Sequence, residues 1–341
     1  MTICPEERCT GCGACQSACP ADCITLALNR AGDRVAVIDE SRCTRCGKCS
    51  RICPVLHPPV LHESRTALAA YAVEAQVRQS SASGGAAAVL ARQVVESGGC
   101  AYGAAFTAPT TVKLVRVDAP AQLSRLQGSK YVHAATGSAY RKVQSDLKAG
   151  RQVLFTGTPC QVAGLYAYLG SDPPGLTTCD LVCHGVPEAD TLNTYLQTEL
   201  NPAAIARLTF RDGDGWVMKA YDRDGGVLRR MDLKNSLYYN GFMEGYLYRS
   251  GCYTCPYATE KRVADLTLGD FWGIGEETPY PNAAAELKKG LSLILVHTDK
   301  GQALLNACAP ALVTTVRTPA EAVKKNHQLR HPTPDLSLIH I

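Results

Sequence analysis

The chain has 341 residues, of which 46% are apolar and 19% charged, a globular composition with about two domains' worth of length. With 35 Lys plus Arg against 31 Asp plus Glu, the formal charge of +4 gives no nucleic-acid footprint and no polybasic membrane patch. No run approaches the roughly 18 apolar residues of a membrane span.

Seventeen residues are cysteine, and ten of them fall in the first sixty positions. The N-terminus lacks the apolar core of a signal peptide, so a secreted disulfide scaffold is a poor explanation. A reducing cytoplasm, with the cysteines as metal ligands, is the expectation.

The first element is a repeated ligand run. Cys9-Thr-Gly-Cys12-Gly-Ala-Cys15-Gln-Ser-Ala-Cys19-Pro20 matches Cys43-Thr-Arg-Cys46-Gly-Lys-Cys49-Ser-Arg-Ile-Cys53-Pro54 at seven of twelve positions. Both read C-x2-C-x2-C-x3-C-P, the run that binds 4Fe–4S clusters in two-cluster ferredoxins. Three closely spaced thiolates serve one cluster locally, and the fourth reaches across to the other. The spacing therefore assigns Cys9, Cys12, Cys15 and Cys53 to one cluster, and Cys43, Cys46, Cys49 and Cys19 to a second. A zinc ribbon would separate two C-x2-C pairs by a longer loop. Cys4 and Cys23 fit neither run and read as buried structural cysteines. Between the runs, 24–28 and 35–38 are predicted strands around a turn at Asn29–Asp33. Residues 1–57 resemble a bacterial-type two-cluster ferredoxin domain.

His57-Pro-Pro-Val-Leu-His62 lies in a predicted linker, 58–66, because paired prolines resist helix and central strand alike. A mixed α/β pattern follows. Strands are predicted at 67–73, 100–107, 112–117, 152–156, 176–183, 264–272 and 291–298, the last two closing the sheet. Helices are predicted at 83–97, 138–148, from the Gly157-Thr-Pro-Cys160 loop to about 168, at 187–200 and at 235–248. Asp212-Gly-Asp-Gly215 and Asp224-Gly-Gly226 are predicted hairpin turns.

Three features stand at element ends. The loop Ser80-Ser81-Ala-Ser83-Gly84-Gly85 opens a helix, which suits either a phosphate or an ordinary N-cap. Cys160, Cys183, Cys252 and Cys255 occupy loop positions, where they suit a third 4Fe–4S cluster; the C-x2-C pair alone also suits a zinc half-site or a dithiol. Cys179 is a fifth candidate inside a predicted strand, while Cys100 and Cys308 read as core. Asp265 and Asp270 interrupt an apolar strand and so point to a held arginine or loop. The P-loop, G-x-G-x-x-G, H-E-x-x-H and G-x-S-x-G motifs are absent.

From about Ala67 to Arg330 the ordered set Ser80-Ser-Ala-Ser-Gly-Gly85, Gln127-Gly-Ser-Lys-Tyr131, Gly157-Thr-Pro-Cys-Gln161, Cys183-His-Gly-Val-Pro187, Cys252-x2-Cys255 and Gly269-Asp-Phe-Trp-Gly273 resembles the coenzyme F420 hydrogenase/dehydrogenase beta-subunit family, in its bacterial branch with a fused ferredoxin. The resemblance implies an α+β chain: a small two-cluster ferredoxin domain followed by a mixed α/β flavoprotein domain, with parts at 67–175 and 176–334. It implies that Ser80, Ser81, Ser83, Gly84 and Gly85 face FAD phosphates, with Lys130 and Thr158 nearby. It also implies that Cys160, Cys183, Cys252 and Cys255 hold a third 4Fe–4S cluster. Residues 335–341 resemble translated adapter sequence and are set aside.

The expected activity is that of an iron–sulfur flavoprotein oxidoreductase. Electrons would pass between the 4Fe–4S clusters and FAD, and on to a deazaflavin-like or other organic acceptor. A ferredoxin or another redox protein would be the electron partner, with no nucleic acid. The alternative is a non-catalytic electron-transfer subunit of a larger redox complex. His184 is the candidate proton donor, set against a structural role in a cluster loop.

Overall fold

The computed structural model describes residues 2–211 and 215–335. The turn expected at 212–215 and the tail at 335–341 fall almost wholly outside the described residues.

In the N-terminal region, β1 (Ile24–Leu28) and β2 (Arg34–Ile38) pair antiparallel. The Asn29 side chain accepts the backbone N–H groups of Ala31 and Asp33, both at 3.0 Å, and so closes the turn. Each cysteine run curls into a short helix, Ala14–Ala18 or Lys48–Arg51, behind a left-handed glycine, Gly13 or Gly47. The repeat extends to a position where the residues differ: Gly11 has φ +62° and its counterpart Arg45 has φ +54°. The loop geometry that presents the thiols outweighs the steric cost of a side chain there.

The rest of the chain builds two further sheets. Its strands are β3 (Thr66–Ala72), β4 (Cys100–Ala108), β5 (Thr111–Val117), β6 (Val153–Gly157), β7 (Leu176–Leu181), β8 (Arg207–Thr209), β9 (Val217–Tyr221), β10 (Val227–Asp232), β11 (Leu266–Asp270), β12 (Ser292–Val296) and β13 (Leu312–Arg317). Eight form one mixed sheet in the order β13-β3-β12-β11-β7-β6-β4-β5, and β10-β9-β8 form a small antiparallel sheet. The large sheet takes strands from both the 67–175 and the 176–334 segments. β11, β7, β6 and β4 are mutually parallel. β12 runs against both β11 and β3, so β3 points the same way as the parallel four. Loops that follow β3, β6, β7 and β11 therefore share one edge of the sheet, the carboxyl edge where open α/β sheets bind ligands.

The ferredoxin-like region is seated on this body. Thr136 Oγ1 donates to Cys12 O at 2.9 Å, and Arg141 Nε to Ser17 O at 2.8 Å. The helix Pro159–Leu169 approaches so closely that a Cβ at Gly164 would stand 2.9 Å from Cys12 Cβ.

Several boundaries differ from the sequence reading for physical reasons. The helix expected from Ser83 is Ala86–Glu96, capped by Gly85, because 80–85 forms the turn after an unforeseen helix at Ala75–Gln79. The helix expected from Pro187 begins at Ala189, because Glu188 stays extended and its carboxylate accepts the Arg34 N–H at 2.8 Å. The helix expected over 235–248 is only Leu237–Met243, and Gly245 turns the chain away at φ +81°. β13 is absent from the sequence reading: it is an edge strand with Val313, Thr314 and Val316 exposed, so its burial follows no clear period.

Candidate functional site

Cys9, Cys12, Cys15 and Cys53 line one cavity in the ferredoxin-like region. Cys4 lines it too, and its thiol stands beside those of Cys9 and Cys53. That contact raises the Cys4 thiol and draws Cys9 and Cys53 down to about 6 each. Burial pushes Cys12 up to about 12. In the second set, Cys23 lies 3.4 Å from Cys19, sulfur to sulfur, and also contacts Cys43. Cys46 is exposed and feels the charge of Cys19, while Cys49 packs half-buried into the same small core. Cys4 and Cys23 thus stand against candidate ligand thiols rather than apart from them.

The four scattered loop cysteines come together. Cys160, Cys183, Cys252 and Cys255 line a single cavity. Each arrives by a different route. Cys160 sits in the first turn of the helix that leaves β6, which a capping box between Thr158 and Gln161 fixes. Cys183 lies two residues beyond β7. Cys252 sits in the helix Ser250–Tyr253, and Cys255 two residues past it. Burial pushes Cys183 up to about 12 and Cys255 to about 11, and it raises Cys160 and Cys252 as well. Buried thiols in this state must lose protons to bind iron, so loading releases protons. Among the described residues, no three His, Cys, Asp or Glu are grouped closely enough for a single metal ion. The four thiols share one cavity lining, and a 4Fe–4S cluster would take four thiolates. Thr10 lines this cavity and the Cys9–Cys53 cavity alike, so the two adjoin. Cys179, Cys100 and Cys308 are buried in the hydrophobic core.

His184 also lines the four-cysteine cavity. Its Nδ1 meets the Tyr248 hydroxyl, and its ring packs 4.9 Å from Phe242. Burial pushes it down to about 4, so it is neutral at pH 7.

The serine-rich loop lies at the carboxyl end of β3, where Ala72 N donates to Gly84 O at 2.7 Å. Ser80 and Ser81 hydroxyls donate back to Gln76 O and Val77 O. Ser83 Oγ is buried with no hydrogen-bond partner. Gly84 is required by packing, since a Cβ there would lie 2.3 Å from Ala70 O. The 127–131 loop is adjacent, with Ser80 Oγ 3.5 Å from Gln127 Oε1. Lys130 does not offer a free charge to this loop. Its Nζ donates to Gln127 O at 2.7 Å and Leu126 O at 3.2 Å, and burial lowers it to about 8. Thr158 lies elsewhere, on the four-cysteine cavity, with Oγ1 3.2 Å from Cys160 Sγ.

Aromatic rings connect these places. Phe242 stacks 4.5 Å from Tyr131, Tyr131 lies 5.9 Å from Trp216, and Trp216 lies 6.0 Å from Trp272. Asp270 holds Arg211 at 2.7 Å, and Arg211 covers the Trp216 ring at 4.2 Å. Asp265 instead ties strands together, accepting Thr178 N at 2.8 Å. Sequence reading missed Arg249, Tyr257, Pro332 and Thr333, all on the four-cysteine cavity. None carries a motif, and only the tertiary fold brings them there.

A four-cysteine run, repeated once and folded into two neighbouring thiol sets on an α/β body, defines an iron–sulfur redox protein. A 4Fe–4S dicluster domain matches residues 8–56, and two 4Fe–4S clusters follow from it. The family defined by the C terminus of the coenzyme F420 hydrogenase/dehydrogenase beta subunit matches residues 150–322, and the chain belongs to that family. Its role is electron transfer of the oxidoreductase kind. A chain of the F420-reducing nickel–iron hydrogenase complex of Methanosarcina barkeri shares the fold with TM-score 0.52 and 17% identity, over 79% of this chain and 91% of that one. No curated protein matches. Among the described residues, no helix is long and apolar enough to cross a membrane.

Proposed function

We propose that the chain is an iron–sulfur flavoprotein oxidoreductase that links a one-electron redox protein to a small organic two-electron acceptor, deazaflavin-like or other. The observation that carries this reading is the convergence of Cys160, Cys183, Cys252 and Cys255 on a cavity adjoining the ferredoxin thiols. When bound, the clusters supply single-electron transfer and FAD supplies exchange between one and two electrons.

The residues divide that work. Cys9, Cys12, Cys15 and Cys53 hold the inner ferredoxin cluster, and Cys19, Cys43, Cys46 and Cys49 the outer one. Arg42, Arg45, Lys48 and Arg51 are all exposed around the outer set, a rim suited to an acidic redox partner such as a ferredoxin. Cys160, Cys183, Cys252 and Cys255 hold the third cluster, with His184 and Thr158 as its wall. The 80–85 loop, on the same sheet edge, receives the FAD phosphates through backbone N–H groups and the unpartnered Ser83 hydroxyl. The rings of Phe242, Tyr131, Trp216 and Trp272 form a stacked series that starts beside His184 and passes through the 127–131 loop.

The chain, purified without oxygen, is expected to release one FAD on denaturation. Ser83→Ala should weaken FAD binding about tenfold, the worth of one hydrogen bond of roughly 1.4 kcal/mol. Its melting temperature should hold, because that hydroxyl has no partner within the protein. A flavin-free protein after reconstitution would reject the flavoprotein reading, and full affinity in the variant would reject this loop.

A further inference from the structure

A buried ion pair lies between the inner ferredoxin cavity and the four-cysteine cavity. Arg249 Nη1 is 3.0 Å from Glu188 Oε1, with side chains only 1% and 4% exposed. Arg249 Nη2 donates to Cys9 O at 3.1 Å and to Arg34 O at 3.0 Å. The guanidinium presses on Gly11, where a Cβ would stand 2.2 Å from Nη1. Gly11 lines the Cys9–Cys53 cavity, and Arg249 itself lines the four-cysteine cavity. Nε and Nη1 of Arg249 and Oε2 of Glu188 have no hydrogen-bond partner among the described residues.

Stability alone explains this poorly. A buried ion pair with orphaned donors is often no better than an apolar replacement of the same size. Position explains it better, since the cation abuts two places where reduction adds negative charge.

We infer that Arg249, set against Glu188, is a positioning residue that raises the reduction potentials of the two inner centres relative to the outer one. The inference rests on the reading of Cys160, Cys183, Cys252 and Cys255 as cluster ligands. Reduction of either inner centre adds one electron and makes or breaks no bond in the protein. A fixed cation nearby favours the reduced state, and an uncompensated carboxylate opposes it.

The test is an anaerobic redox titration of the full chain followed by electron paramagnetic resonance. Arg249→Gln should lower the potentials of both inner centres, and Glu188→Gln should raise them. The double variant should fall between, and the outer centre should hold in all three. Arg249→Lys keeps the charge and should stay near the unmutated values, so it supplies the comparison if Arg249→Gln fails to assemble. Unchanged inner potentials in Arg249→Gln, or an outer centre that shifts equally, would overturn the inference; so would equal inner potentials in Arg249→Lys and Glu188→Gln. Iron near eight atoms in the unmutated chain would instead reject the third cluster, and the inner ferredoxin centre alone would then decide the role of Arg249.

Discussion

Replacing Cys252 and Cys255 together with serine is expected to remove about a third of the bound iron, from about twelve atoms per chain to about eight. The two thiols are half of the set around the four-cysteine cavity, and among the described residues no fifth cysteine lines it to replace them. Cys9, Cys12, Cys15 and Cys53 line a separate cavity, so the ferredoxin signals should persist. Iron analysis with paramagnetic resonance of the reduced protein measures both quantities. Unmutated, reconstituted protein that stays near eight iron atoms would refute the third cluster.

Arg262→Met should cost about 3–5 kcal/mol of stability, the usual penalty for stranding a buried charge. Arg262 Nη2 is 3.1 Å from Asp180 Oδ1, with side chains 1% and 0% exposed. Arg262 also donates to Tyr257 O at 2.7 Å and to Leu181 O at 2.9 Å. Those carbonyls lie two residues from Cys255 and Cys183, so the guanidinium clamps both cysteine loops. Burial already pushes the Asp180 carboxyl above its ordinary 3.8, with Arg262 opposing the rise. Without Arg262 the rise grows. A carboxyl whose folded pKa exceeds its unfolded value favours folding at low pH and loses that as pH climbs through the folded pKa. The deficit of Arg262→Met should therefore shrink as pH falls from 7 toward the ordinary carboxylate range. Urea unfolding at several pH values checks size and sign, and a deficit below about 1 kcal/mol at pH 7 would contradict the clamp.

The ferredoxin ligands were legible because their spacing is local: three thiols in seven residues fix a loop before any tertiary contact forms. The four loop cysteines were legible as candidates, but their convergence depends on β6 and β7 lying side by side and parallel. Arg249 and Glu188 were not legible at all. Arg249 meets Cys9 across 240 residues of sequence, and its burial belongs to the packed interface. The resemblance sets Lys130 and Thr158 near the FAD phosphates, but where their polar atoms lie is decided by the fold: Lys130 Nζ donates to carbonyls of its own loop, and Thr158 lies on the cysteine cavity.

Anaerobic stopped-flow absorbance of the full chain, mixed with reduced ferredoxin or with NADH, tests the electron path most directly. The sequence reading makes a nicotinamide a poor first guess as donor, and an exposed basic rim around Cys46 would suit an acidic protein donor. The account predicts that reduced ferredoxin bleaches the flavin faster than NADH or NADPH does, and that the Cys252→Ser, Cys255→Ser double variant loses this bleaching. Flavin bleached as fast by NADH, or bleached by ferredoxin at full rate in the double variant, would contradict it.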